Sequence, residues 1–292
     1  MISSRRTVEG IFPAIHYMPF RVYGVPEAPK ILKLSVIIFF EMTYRSGAER
    51  FYDLFGTKDD VNFYRELAHE NGDRALELGV GTARLAIELA RDGVEVWGID
   101  NSEHMLRAAR RKIAKEPPEV RSLITLRRAD VRDFDLHETF PFIYFPAYTF
   151  DHLLIRGDQI NALRCIHRHL RPSGVYAFDL AHVREGEPNS DWFIERRDLG
   201  EGQMVVRSGF LRRDCTARKA SIDLFYDVYV DGKMKERYHE YGEVYIHTPE
   251  GIRELLEENG FRIKAFYGDH RKKPFTEESK EMVIITEKRG SP

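Results

Sequence analysis

Two glycines and two carboxylates are spaced in this chain to hold a nucleoside. Gly79 and Gly81 interrupt the apolar run Ala75-Leu76-Glu77-Leu78 and precede a run of helical period, Arg84 to Ala90. Asp100 closes a second apolar run, Val94–Asp100, and Asp130 follows a third at Leu123–Arg128. A glycine-bearing turn between strand and helix lets the backbone come close to a ligand where a Cβ would collide. An acid at the end of the next strand then meets the ribose hydroxyls. A dinucleotide site needs a third glycine, which lets the helix pack closely on the strand. Arg84 fills that slot, so the spacing favours a nucleoside over a dinucleotide.

The details of the turn resemble motif I of class I S-adenosylmethionine-dependent methyltransferases, here Glu77-x-Gly79-x-Gly81-x-Ala83, with alanine in place of the last glycine. Six further stretches resemble the same family in order and spacing. Asp100-Asn101-Ser102-Glu103-His104-Met105-Leu106 is similar to its second-strand acid and following helix, with Ser102 in the position of an N-cap. Ala129-Asp130-Val131 is similar to its motif II. Phe142–Tyr148 matches the fourth strand and the mouth of the site, and Leu170–Asp179 the approach to the fifth. Leu255–Phe261 and Met282–Thr286 match the closing helix, turn and strand, so the likeness spans residues 46–288.

The resemblance implies S-adenosyl-L-methionine as cofactor. It implies that Asp100 takes both ribose hydroxyls, Met105 packs on adenine, Asp130 holds the adenine amino group and the Val131 N–H meets the ring. Glu77, Gly79, Gly81, Asn101 and Phe145 complete the expected contacts. Tyr52 and Tyr64 belong to an aromatic approach segment that in this family closes over the methionine end. An aromatic face attracts a sulfonium by about 1–2 kcal/mol when desolvated. Phe51, Phe55 and Phe63 in the same segment suit core packing better.

The resemblance also implies the fold that positions these groups. It is an α/β, Rossmann-like seven-stranded sheet with helices on both faces, the last strand antiparallel, plus a small antiparallel β lid. The methyltransferase domain is expected over residues 46–290. Between the fifth strand and the last helix, Val205–Arg212, Ile222–Val230 and Lys235–Ile246 alternate apolar and polar positions, and Asp231-Gly232 is a hairpin signal. These place the lid at about 195–247, over the cofactor's open end. Residues 1–45 read as an extension packed on the domain or on a second copy, giving a homodimer, since Pro13, Pro19, Pro26 and Pro29 forbid a long early helix. The apolar run Ile31–Phe40 is too short to span a bilayer.

Methyl transfer from a sulfonium is an in-line displacement by a nucleophile on an already activated donor. A base is needed only where the acceptor arrives protonated. Tyr148, Asp151 and His152, just past the fourth strand, are the candidates, with His239 and Glu240 on the lid behind them; Asp151 equally suits a helix cap. Other chemistries lack their residues. His167 and His169 are two apart on a helix and do not share a face. Cys165 and Cys215 form no metal or disulfide pattern. Phe145 stands where amino-methylating nucleic-acid enzymes carry the Asp or Asn that grips the target. With 45 basic and 47 acidic residues and a net charge of −2, the chain lacks the basic excess of a nucleic-acid binder. The expectation is therefore a cytoplasmic enzyme methylating nitrogen or oxygen of a small-molecule acceptor. RNA or protein methylation, and a non-catalytic cofactor-binding module, are the alternatives.

Overall fold

The structure, a computed structural model, describes Gly47, residues 49–56 and residues 59–289. The reading of residues 1–45 as a packed or dimer-forming extension lies outside the described residues. Two short helices come first, α1 (Glu49–Phe55) and α2 (Val61–Glu70). The nucleoside-type units follow: β1 (Arg74–Leu78), α3 (Arg84–Arg91), β2 (Glu95–Asp100), α4 (Glu103–Ile113), α5 (Pro118–Arg121) and β3 (Ile124–Arg128). Then come β4 (Phe140–Phe145), a 3₁₀ turn (Thr149–His152), α6 (Arg156–His169) and β5 (Leu170–Ala181). Four strands make the lid, β6 (Ser190–Gly200), β7 (Gln203–Asp214), β8 (Lys219–Val230) and β9 (Lys233–Tyr245). The chain closes with α7 (Pro249–Glu258), β10 (Phe261–Tyr267) and β11 (Glu281–Lys288).

The main sheet has seven strands in the order β10-β11-β5-β4-β1-β2-β3. β11 pairs antiparallel with both β5 and β10, while β1, β2, β3, β4 and β5 pair in parallel, as expected. Strands covered on both faces need apolar residues at nearly every position. β4 obeys this: Phe140, Ile143 and Phe145 enter one core with α6 and α7, while Phe142 and Tyr144 enter the other with α2 and α3. Fully burying each such side chain stabilises the sheet by roughly 1.5–3 kcal/mol. Two helix starts, those of α4 and α7, carry side-chain caps. Ser102 Oγ accepts the Met105 N–H at 3.4 Å, and Thr248 Oγ1 accepts the Gly251 N–H at 3.2 Å with Pro249 in the first turn.

The lid is a second, four-stranded antiparallel sheet, β6-β7-β8-β9. It begins at Ser190, earlier than the expected boundary near 195, because β6 is a strand that lacks the alternation used to find the others. Only Phe193 and Glu195 of β6 are even half-buried, so an edge strand with mostly solvent-facing residues hides its period. Asp231-Gly232 makes the expected two-residue turn, with φ of 50° and 73°, and Glu201-Gly202 makes another at 49° and 71°. One face of the lid packs on α1, where Phe51 and Phe55 meet Val205, Leu224 and Tyr226. That fits the core role expected for these two phenylalanines. Among the described residues, no helix is long and apolar enough to cross a membrane.

Candidate active site

The carboxyl ends of β4, β1, β2 and β3 lie side by side, so the turns after them form one cleft edge. After β1, Gly79 takes φ +65° and Gly81 φ +53°, a region that favours glycine. A Cβ on Gly79 would lie 2.7 Å from Thr149 Cγ2, whereas one on Gly81 would meet nothing closer than 3.9 Å. Ala83, the alanine in the last glycine position, also sits left-handed at φ 59°. Its small size therefore does not make it neutral: the conformation costs roughly 1 kcal/mol or more, which the turn bears.

Asp100 is held by two backbone donors, Gly81 N–H at 2.8 Å on Oδ2 and Ser102 N–H at 2.8 Å on Oδ1. These bonds fix the aim of the carboxylate at the end of β2. A cradle that a Cβ would fill, beside a pre-aimed acid, fits the ribose of S-adenosylmethionine. Asp130 is clamped by its neighbour: the Arg132 guanidinium reaches both oxygens, at 2.9 and 2.5 Å, and the Arg132 N–H bonds Oδ1 at 2.9 Å. These bonds hold the Asp130 carboxyl below the usual range. Any adenine contact thus shares Asp130 with Arg132, a partner that the spacing argument did not include. Met105 is buried in the first turn of α4, Val131 packs half-buried on the core, and exposed Asn101 offers its carbonyl to Arg128 Nε at 3.2 Å. Arg84 grips Asp60 at the start of α2 with two bonds, at 2.8 and 2.5 Å. The residue that spoils a dinucleotide turn here ties the approach helices to it.

Three expected cofactor contacts face the core instead. Glu77 is 3% exposed and accepts the Tyr144 hydroxyl at 2.9 Å, and burial pushes its carboxyl up to about 8. Phe145 is buried under Gly79, edge-on to Phe150 at 5.9 Å. Tyr64 is fully enclosed, against Tyr144 at 5.2 Å, and donates its hydroxyl to Asp179 Oδ2 at 2.9 Å. Strand geometry on β1 and β4 points Glu77 and Phe145 inward, and the buried face of α2 does the same for Tyr64. Tyr52 stays half-buried near Arg84, with burial pushing its phenol up to about 12.

Past β4, the three catalytic candidates diverge. Tyr148 follows left-handed Ala147 and is itself left-handed; its N–H meets Asp179 Oδ1 at 2.6 Å and its hydroxyl donates to Glu281 Oε2 at 2.9 Å. Burial and these acids push its phenol far up, so it is no proton acceptor. Asp151 is turned inward, 1% exposed: Oδ2 accepts the Ala181 N–H at 3.0 Å and Oδ1 lies 3.8 Å from His247 Nε2. Desolvation keeps its carboxyl well above the usual range, which makes it a brace for β5. His152 is half-buried, and desolvation lowers its pKa. Its ring bonds the Glu243 backbone on β9, and its Nδ1 has no partner. A ring whose one proton goes to a carbonyl leaves Nδ1 as a bare acceptor. On the lid, His239 bonds Asp223 at 2.8 Å on the face away from α1, stacked on Phe225, whereas Glu240 is buried. His239 therefore leaves the candidate list. His169, half of the His-x-His pair, accepts the Leu136 N–H at 3.0 Å and bonds the Cys165 carbonyl at 2.8 Å, a structural role.

The groups missed in sequence are Asp179, His270 and Glu281. Asp179 had a signal: it is an acid near the carboxyl end of β5, two residues before Ala181, much as Asp100 ends β2. His270 had none, since it precedes the basic run Arg271–Lys273 in a loop.

Comparison with known proteins agrees with this geometry. Residues 75–174 match the family model of a methyltransferase domain. The chain is 26% identical over 220 residues to the cypemycin N-terminal methyltransferase of a Streptomyces species, covering 75% of this chain and 84% of that one. The CcbJ methyltransferase of Streptomyces caelestis superposes with a TM-score of 0.71 at 20% identity, over 83% of this chain and 96% of that one. CalS10, an amino pentose methyltransferase of Micromonospora echinaspora solved with S-adenosylmethionine bound, superposes with a TM-score of 0.65 at 19% identity, over 84% of this chain and 98% of that one. With the motif I turn, the pre-aimed Asp100 and the seven-stranded order in hand, residues 75–174 carry a methyltransferase domain, and the chain shares the fold of S-adenosylmethionine-dependent methyltransferases.

Proposed function

We propose that the enzyme methylates nitrogen or oxygen of a small molecule, with His152 as the base and the cleft between the 3₁₀ turn and the lid as the acceptor site. The observation that carries this reading is the neutral His152 ring, its proton given to the Glu243 carbonyl of the lid and its Nδ1 unpartnered. S-adenosylmethionine, held at Asp100 and Asp130, would supply an activated methyl to an acceptor, and His152 Nδ1 would take the acceptor's proton. The chain supplies position, desolvation and a proton acceptor. The cypemycin enzyme and CalS10 are named for an N-terminal and an amino pentose acceptor, which supports nitrogen as the first atom to test.

The test uses methyl-labelled S-adenosylmethionine and fractionated metabolite extracts. Label is expected in a low-molecular-mass product. His152→Gln is expected to lower kcat by roughly 10²- to 10⁴-fold while cofactor affinity holds within about twofold. Label confined to RNA or protein would reject the small-molecule acceptor, and an unchanged kcat would reject His152 as base.

A further inference from the structure

The turn after β4 is locked by a closed ring of polar groups drawn from four separate segments. Tyr148 N–H reaches Asp179 Oδ1 at 2.6 Å, and Asp179 Oδ2 faces His270 Nε2 at 3.0 Å. His270 Nδ1 faces Glu281 Oε1 at 3.5 Å, and Tyr148 donates its hydroxyl back to Glu281 Oε2 at 2.9 Å. Tyr64 adds a second donor to Asp179 Oδ2. Asp179 is 0% exposed, so its charge needs a partner in place. His270 is the cation that serves it. Both of its ring nitrogens face carboxylates, the arrangement of an imidazolium, and those two acids push its pKa up to about 10 against the effect of burial.

The ring holds a segment that would not keep its shape alone. Ala147 and Tyr148 take φ of 59° and 57°, a conformation that side chains disfavour, and such strain persists only where surroundings over-determine it. Thr149, next in the chain, packs against Gly79 so closely that a Cβ there would lie 2.7 Å from its methyl. Strand order fixes what the turn faces. β2 and β3 lie on one side of β1, with Asp100 and Asp130 at their ends, and β4 lies on the other. If ribose and adenine sit at those two acids, the remainder of the cofactor runs over Gly79 toward the 147–149 turn.

We infer that His270 is a positioning residue for the methionine end of the cofactor: through Asp179 and Glu281 it fixes the Ala147–Tyr148 turn that walls that end. This rests on the nucleoside being held by Asp100 and Asp130. The charged and titratable groups around His270 are Asp179 from β5, Glu281 from β11, Tyr64 from α2 and Tyr148 from the turn. Its own loop adds Asp269, Arg271, Lys272 and Lys273, of which Lys272 pairs with Glu66 and Lys273 with Asp269.

The test needs no methyl acceptor. Calorimetry would compare S-adenosylmethionine with methylthioadenosine, which carries the same nucleoside but lacks the amino-acid end, on the wild type, His270→Gln and His270→Arg. His270→Gln is expected to weaken S-adenosylmethionine roughly tenfold or more while methylthioadenosine changes less than about twofold. His270→Arg, which keeps a cation with donors for both acids, is expected to recover most of the loss. Equal weakening of both ligands, no weakening, or an Arg variant no better than Gln would overturn the proposal. Should His270→Gln fail to fold, carbon-13 histidine spectra of the wild type decide: the His270 ring should stay cationic from pH 6 to about 9. A ring that titrates below pH 7 rejects the assignment. If wild type binds neither ligand, the nucleoside reading fails; a wrong acceptor assignment leaves the result untouched.

Discussion

The two sides of the cleft are built by opposite means. On the β2 and β3 side, the acids lean on their immediate neighbours: Asp100 on Ser102, and Asp130 on Arg132, each two residues on. They remain partly exposed, and water can take over much of what a substitution removes. On the β4 and β5 side, Asp179 is sealed off and meets partners 115 residues away at Tyr64 and 91 away at His270. The first side is a ligand surface held in place by local turns. The second is a polar core whose members satisfy one another only when the whole domain has formed. Substitutions should therefore cost affinity on one side and folding on the other.

The sharpest way to break this contrast is Asp179→Ala. It strands the His270 cation, the Tyr64 hydroxyl and the Tyr148 N–H in a buried site. Removing one partner of a buried pair costs about 3–5 kcal/mol. Urea unfolding should show that loss, whereas Asp100→Ala should stay within about 1 kcal/mol of the wild type. A stability for Asp179→Ala equal to that of Asp100→Ala would erase the distinction.

Affinity supplies the reciprocal measurement. With Asp100 proposed as the ribose acceptor, Asp100→Ala should remove two charge-assisted bonds, about 2–3 kcal/mol in total, so S-adenosylmethionine should bind roughly 30- to 150-fold more weakly. Calorimetry on folded protein reads this directly. Unchanged affinity would mean that the acid serves only Gly81 and Ser102.

The same contrast explains what could be read in the sequence. Gly79, Gly81, Asp100, Ser102 and Asp130 are local features, each part of a strand–turn–helix unit with a recognisable period. The order of those units fixes a parallel sheet, and the short run Met282–Thr286 after a turn gives its antiparallel last strand. Side-chain direction was harder. Glu77, Tyr64 and Phe145 fit the pattern of a cofactor motif, yet the alternation along β1 and β4, and the helical face of α2, turn them into the core. β6 was hidden because an edge strand with charged residues lacks a buried face to write its period. His270 and Glu281 could not be found at all, because their meaning lies in a contact with Asp179 that only the folded sheet creates.

Gly79 and Gly81 carry the contrast into a single turn. Both have positive φ, so alanine strains each. Only at position 79 does the new Cβ also run into the β4 side, 2.7 Å from Thr149 Cγ2. Gly79→Ala should cost about 1–3 kcal/mol, and Gly81→Ala about 1 kcal/mol. Equal losses by thermal or urea unfolding would mean that Thr149 moves aside freely and that the 147–149 turn is not held as the polar ring requires.

A pH series tests whether the buried side also responds to protonation. Burial pushes the Glu77 carboxyl up to about 8 in the folded chain, against an ordinary value of 4.5. The folded chain thus keeps a proton that the unfolded chain has lost. Its contribution is fully present below pH 4.5 and is lost as pH rises through 8, at about 1.4 kcal/mol per unit between those limits. Other groups slope the same curve. His247, lowered to about 3, adds stability as pH rises toward 6.5, and His270, raised to about 10, loses it above 6.5. A difference between two proteins removes both. Glu77→Gln keeps an acceptor for the Tyr144 hydroxyl but cannot ionise. Its stability relative to the wild type should therefore climb steadily from pH 5 to pH 8 and then level off. Curves that run parallel across that range would show Glu77 reaching solvent or a cation when it ionises, and would move it from the buried side of the comparison to the exposed one.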